Sequence, residues 1–144
     1  MLIWGIIVWL NLKPCLNEIS HSFEVSNSDI DVHKHVNNVA YLRWIQDVAV
    51  AHWQTAASSE LQKEYTWYVI RHEIDYKKQA FENDEITTIT WVGGATKIKC
   101  ERFTEIKRGE EILAKARSVW CLLDATTNKP ARITEELRKI FEME

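Results

Sequence analysis

The chain has 144 residues, enough for one domain and too few for two comfortable ones. Hydrophobic residues make up 46% and charged residues 27%, with four glycines and two prolines, which excludes collagen-like, low-complexity and linker-rich chains. The formal net charge of -3 and a sequence pI near 6.0 leave none of the basic footprint that nucleic-acid binding shows.

Residues 1–16 read as an N-terminal extension. Met1 to Leu10 is almost wholly apolar, but the run ends at Asn11, Lys13 and Pro14, short of the roughly 20 residues a membrane span needs. It also lacks the basic leading segment and small-residue cleavage site of a signal peptide. An extra strand or an interface segment is the expected role, and no membrane partner is expected. Cys15, Cys100 and Cys121 are odd in number and match no CxxC spacing, which predicts reduced thiols in a cytoplasmic protein.

Residues 17–144 read as a single domain. Asn17 to Val25 alternate loosely and predict a first strand, followed by a polar loop from Ser26 to Asn37. From Val39 to Ala57 there is neither Gly nor Pro. Tyr41, Ile45, Val48 and His52 recur at helical spacing, Leu42, Ala49 and Trp53 widen the stripe, and Arg43, Gln46, Asp47 and Gln54 take the polar face. The spacing predicts an amphipathic helix of about five turns, capped by Asn37 or Asn38. A polar stretch, Ser58 to Glu64, follows. The period then drops to two, with Tyr68, Ile70, His72, Ile74 and Tyr76 predicted to share one strand face. A turn at Glu82-Asn83-Asp84 leads to a strand over 85–92, interrupted by Gly93-Gly94, which reads as a bulge or bend in a curved sheet. A third strand of this set is predicted from Lys97 to Lys107, with a hairpin at Arg108-Gly109-Glu110. A long last strand places Ile112, Ala114, Ala116, Ser118, Trp120 and Leu122 on one face. Thr134 caps a short final helix ending near Phe141.

Short turns between strands make the sheet antiparallel, and one long apolar helix must bury its stripe against one sheet face. The predicted class is α+β: a central helix wrapped by a curved antiparallel sheet of about five strands. Seven tryptophans point to an aromatic-rich core or pocket.

The loop before the long helix concentrates chemistry. Between Asp29 and Asn38 lie two carboxylates, two histidines and two amides, and a helix N-terminus follows at once. A helix N-terminus offers unpaired N–H groups and the positive end of a dipole, suited to a carbonyl or an oxyanion. A carboxylate beside it can attack a carbonyl or activate water. Acyl transfer or hydrolysis at a carbonyl is the chemistry this pattern suits. Asp31, His33 and His35 lack the remote Cys or His ligands that would complete a metal site, so no metal or other cofactor is expected.

Asp29-Ile30-Asp31, then His35-Val36-Asn37-Asn38-Val39-Ala40-Tyr41-Leu42-Arg43-Trp44, resembles the signature of hotdog-fold thioesterases, close to the bacterial acyl-CoA and plant-type acyl-ACP branches. The segment from His72 to Ile86 is similar to the strand and turn that follow the helix in that family. The resemblance implies a hotdog fold, at least a homodimer and either dimer or tetramer, and hydrolysis of an acyl thioester to free acid and thiol. Acyl-CoA is the first expected substrate and an acyl carrier protein thioester the alternative. A non-catalytic acyl-binding hotdog protein is the reading from another class. Asp31 then matches the general base or nucleophile, His35 and Asn37 the residues that shape the loop and position substrate or water, and Asn38 the position beside the scissile carbonyl. Amides at the helix start would stabilise the oxyanion. His33, Tyr41 and Gln79 are assigned to substrate binding, and in a site between two subunits Gln79 could come from the partner chain. Two positions depart from the plant-type pattern: His33 stands where those enzymes have Asn, and Gln79 where they have Glu. Gln79 cannot act as a general base, which leaves Asp31 as the sole catalytic carboxylate.

Overall fold

The structure, a computed structural model, describes residues 17–144. The apolar run Met1–Leu10 and Cys15 therefore lie outside the described residues. Five strands form one sheet: β1 (Glu18–Glu24), β2 (Tyr65–Tyr76), β3 (Glu85–Ala95), β4 (Lys99–Arg108) and β5 (Glu111–Asp124). Their spatial order is β1-β3-β4-β5-β2, every pairing is antiparallel, and β1 and β2 are the edges. The described residues also form three α-helices: α1 (Asn38–Ala56), α2 (Ser59–Glu64) and α3 (Glu135–Ile140).

Helix α1 starts where Asn37 adopts extended backbone and its Oδ1 accepts the Val39 N–H at 3.0 Å. Tyr41, Ile45, Val48, Ala49 and His52 are buried, as the stripe predicts, and Ala40 and Trp44 join them. Leu42 does not: at 36% exposed it lies on the rim, because the buried arc is centred on Tyr41, Ile45 and Val48 and turns Leu42 away. The front of the helix shares a core cluster with Val25, Val36, Ala80, Ile86 and Leu113, while the back half packs with Leu122, Ile133, Leu137 and Phe141. The stretch after α1, read from sequence as merely polar, is helix α2. Ser58 caps it through Leu61 N–H at 3.2 Å, and buried Leu61 anchors it. Glu60 in its first turn and Lys63 in its last complement the dipole.

Three bulges redirect the sheet. In β2 the register shifts between Val69 and Arg71, so Ile70 is the extra residue. Trp67 and Val69 are partly buried before the bulge, and His72 and Ile74 after it, whereas Tyr68 and Ile70 are exposed. A single face from Tyr68 to Tyr76 is therefore incorrect, since one inserted residue inverts the alternation. In β5 the register shifts opposite Ile106 and Lys107, which turns Leu113 into the core in place of Ile112; Ala114, Ala116, Ser118, Trp120 and Leu122 keep the predicted face. In β3 the glycine pair does not interrupt the strand. It forms a bulge between Val92 and Ala95, and a Cβ on Gly93 would stand 2.7 Å from the Phe103 ring. Gly109 adopts φ +60 in the β4–β5 hairpin, and Thr134 caps α3 through Leu137 N–H at 3.3 Å.

Candidate active site

The loop between β1 and α1 is held from both ends. Asp29, only 6% exposed, takes Arg43 Nη2 on Oδ1 at 2.7 Å and on Oδ2 at 2.8 Å, and its carbonyl accepts the Asn37 N–H at 2.8 Å. A bridge between Ile30 and Val36 closes the hairpin-like loop around Asp31–His35. Inside it, Asp31 N–H donates to His35 O at 2.8 Å, Lys34 N–H donates to Asp31 O at 3.0 Å, and Lys34 takes a left-handed φ of 63. The Val36 N–H reaches Ala80 O at 3.1 Å, and the Ala80 N–H donates to the Tyr41 hydroxyl at 3.0 Å. Ala80 thus ties the loop and the helix to the β2–β3 connection.

Asp31 is aimed by its own loop. Its Oδ1 accepts the His33 N–H at 2.9 Å and the His35 N–H at 3.1 Å, while Oδ2 takes no hydrogen bond among the described residues. The His35 amide is the main reason the carboxyl titrates below its ordinary value of 3.8, against a smaller upward push from burial. Oδ1 therefore serves the turn, and Oδ2 is left over by it.

Oδ2 belongs to a residue on the wall of a cavity of about 340 Å³ lined by Asp31, His35, Val36, Asn38, Tyr41, Tyr76, Lys77, Lys78 and Gln79. Of the expected site residues, Asp31, His35, Asn38, Tyr41 and Gln79 meet here. Gln79 and Asp31 of the same chain both line it. His33 is exposed and does not line the cavity; the loop uses its backbone N–H, not its ring. Asn37 is likewise outside, its side chain spent on the helix cap. Tyr41 is buried, and its hydroxyl acts as an acceptor for Ala80, so it supports the wall from behind.

The expected row of free amides at the head of α1 is reduced. Asn37 N–H donates to Asp29 O, Val39 N–H to Asn37 Oδ1 and Ala40 N–H to Asn37 O at 2.9 Å. The Asn38 N–H has no partner among the described residues, and Asn38 lines the cavity.

The far wall is equally well fixed. Lys77 and Lys78 N–H groups both donate to Leu113 O, at 2.8 and 3.0 Å, and Arg108 reaches both Gln79 O at 3.2 Å and Asp84 Oδ2 at 2.7 Å. Lys78 pairs with Glu111 at 2.8 Å, whereas Lys77 has no ion-pair partner among the described residues. Among the described residues Asp31 is the one carboxylate lining the cavity. Among the described residues no three His, Cys, Asp or Glu side chains converge as a set of metal ligands. Sequence reasoning missed the Asp29–Arg43 pair, Ala80 and Tyr76. Asp29 and Arg43 both stand in the motif that carries the resemblance, but nothing there pairs them, and nothing about Ala80 in the sequence marks it.

A five-stranded antiparallel sheet around one long helix, with a carboxylate loop at the helix head, is the hotdog fold of thioesterases. The family model described as the acyl-ACP thioesterase N-terminal domain matches residues 17–141, and the chain belongs to that family. It is 25% identical over 130 residues to the chloroplastic palmitoyl-acyl carrier protein thioesterase of Gossypium hirsutum, covering 83% of this chain and 32% of that protein. The chain thus spans about a third of the length of that curated relative. Among solved structures, a predicted thioesterase from Bacillus stearothermophilus superposes with TM-score 0.76 at 22% identity, covering 87% of this chain and 94% of the other. The 12:0-ACP thioesterase from Umbellularia californica gives TM-score 0.73 at 15% identity, over 87% of this chain and 49% of that one. At these identities the superpositions speak for the fold.

Proposed function

We propose that this chain hydrolyses acyl thioesters in the cavity at the head of α1. The observation that carries the reading is the Asp31 carboxylate, fixed through Oδ1 by two backbone N–H groups and open at Oδ2, beside the unpaired Asn38 N–H. As nucleophile, Oδ2 bonds to the thioester carbon, the C–S bond breaks, the thiolate takes a proton from solvent, and water then hydrolyses the anhydride. As base, Asp31 takes the proton of a water whose oxygen bonds to that carbon; the C–S bond then breaks, and the proton passes from Asp31 to the leaving thiolate. Either route develops charge on the carbonyl oxygen, which the Asn38 N–H stabilises. Asn38 and Gln79 side chains orient the group, and His35 holds the loop.

The family and the names of the curated relatives support acyl carrier protein as the thiol carrier ahead of coenzyme A. Lys77 at the cavity supports an anionic carrier of either kind. The exposed edge strand β2, with Tyr68 at 63% and Ile70 at 49% exposure, supports assembly as a homo-oligomer through that edge. A place in fatty acid metabolism and a cytoplasmic setting belong to the same proposal.

Thiol release from a panel of aliphatic and aromatic acyl-ACP and acyl-CoA thioesters tests it, with Asp31→Asn alongside. Turnover that falls by at least about a thousandfold in a variant that stays folded supports the assignment. Unchanged turnover in Asp31→Asn would remove Asp31 from the chemistry, and a folded protein inactive on the whole panel would favour an acyl-binding role.

A further inference from the structure

A second cavity, of about 210 Å³, lies between the back half of α1 and the sheet. It shares no lining residue with the Asp31 cavity. Its walls include Trp53, Trp67, Val92, Trp120 and Phe141, and its mouth is marked by Val50 on α1 and Thr66 on β2, both exposed. The cavity therefore has its own opening to solvent.

One charged side chain faces this apolar chamber. Arg102 is 7% exposed, and its Nη1 donates to His52 Nδ1 at 3.0 Å and to Thr90 Oγ1 at 3.1 Å. A guanidinium has five N–H donors. Those on Nε and Nη2 meet no acceptor among the described residues. Arg102 has no ion-pair partner among the described residues either, and residues 1–16 contain neither Asp nor Glu. Arginine is only a donor, so His52 meets it with a lone pair and brings no negative charge. Burial lowers the Arg102 pKa to about 10, which leaves it charged at neutral pH, and raises that of the neighbouring Cys100 thiol to about 11, which leaves it neutral. A buried cation with no counter-charge is costly. Trp120 lines the same chamber, and its buried Nε1 has no hydrogen-bond partner among the described residues.

We propose that this cavity is a binding site for a small amphiphilic monocarboxylate, its carboxylate held by Arg102 and Trp120 Nε1 and its apolar body packed against Trp53, Trp67 and Phe141. The planar Nε–Nη2 edge matches a carboxylate fork, and the ligand supplies the missing counter-charge. The volume is below the roughly 300–1,000 Å³ of drug-sized pockets, which selects a compact acid. The mouth between Val50 and Thr66 favours a free acid entering directly over the far end of a thioester bound at Asp31. The claim stands whether or not the chain hydrolyses thioesters, because its readout is binding.

Calorimetric titration of the full chain with octanoate and 3-phenylpropionate, against octan-1-ol and 3-phenylpropan-1-ol, tests it. Saturable binding of the acids is expected, with each alcohol weaker by on the order of tenfold or more. Arg102→Gln should weaken the acids by a similar factor. Trp120→Phe, which keeps the ring in the core and removes only the donor, should weaken them about threefold or more. Asp31→Asn, which alters only the other cavity, should leave acid affinity unchanged. Alcohols binding as tightly as acids would reduce the chamber to a plain apolar pocket and overturn the proposal. Absence of acid binding, or its loss in Asp31→Asn, would overturn it as well. Turnover on the thioester panel is measured separately, so failure here and failure of the hydrolase reading are distinguishable.

Discussion

The Ala80 N–H donates to the Tyr41 hydroxyl at 3.0 Å, joining the first turns of α1 to the segment that carries Lys77, Lys78 and Gln79. Burial is the main reason the Tyr41 phenol titrates above its ordinary value of 10.0, so it stays protonated and acts here as a neutral acceptor. Both residues are buried, so water cannot replace the bond. Tyr41→Phe should therefore destabilise the fold by about 1–3 kcal/mol, the cost of an orphaned buried donor. Denaturant unfolding measures the loss, and thioester turnover should fall with it as the Gln79 wall loosens.

Arg43 closes on Asp29 with one nitrogen against both oxygens, and Asp29 is the buried member of the pair. Arg43→Met should cost about 1–3 kcal/mol, chiefly because the carboxylate is left without its donors. Asp29→Asn in the same background should cost little more than Arg43→Met alone. A double-mutant cycle by urea unfolding checks this, and additive losses would show that the two side chains act independently.

The direction of the Asp31 shift predicts the pH dependence. Its folded pKa lies below 3.8, so the native state binds the proton less readily than the unfolded chain. The stability gained from the two amide hydrogen bonds is present above the unfolded carboxylate value and is lost as pH falls through the folded one. The acid limb of kcat/KM should accordingly lie below the ordinary carboxylate range, with Asp31 ionised throughout the neutral region. A pH–rate profile with a limb between pH 5 and 7, about two units too high, would assign the limb to another group.

The outward residues of the β2 edge give a test of assembly. Ile70 is the bulge residue, exposed, and free of core contacts in the chain. Ile70→Lys should shift the protein toward monomer in light scattering while its thermal midpoint at low concentration stays within a few degrees. An unchanged mass would mean that this edge is not the subunit contact.

Much of this was readable in advance. Tyr41, Ile45, Val48 and His52 announced α1 because helical period and burial coincide over five turns, and Asn37 announced its start because a cap is a local interaction. Asp31, His35, Asn38 and Gln79 were chosen by resemblance, and the chain does bring them to one cavity. His33 and Asn37 were not separable from them by sequence, since only the folded loop shows that the His33 N–H is spent on Asp31 and the Asn37 side chain on the helix cap.

Local chemistry, then, was written in the residue order: an α+β class, a capped helix, antiparallel hairpins, and a carboxylate loop ahead of a helix. Each rests on interactions spanning a few residues, where period and side-chain type suffice. The three bulges, the Asp29–Arg43 pair, the tie through Ala80 and the uncompensated charge of Arg102 belong to the tertiary structure. They depend on partners far apart in the chain, His52 and Arg102 being 50 residues apart, and on single-residue register shifts that reverse which side of a strand is buried. No local pattern encodes such a distance, because it is set only when the sheet closes around the helix.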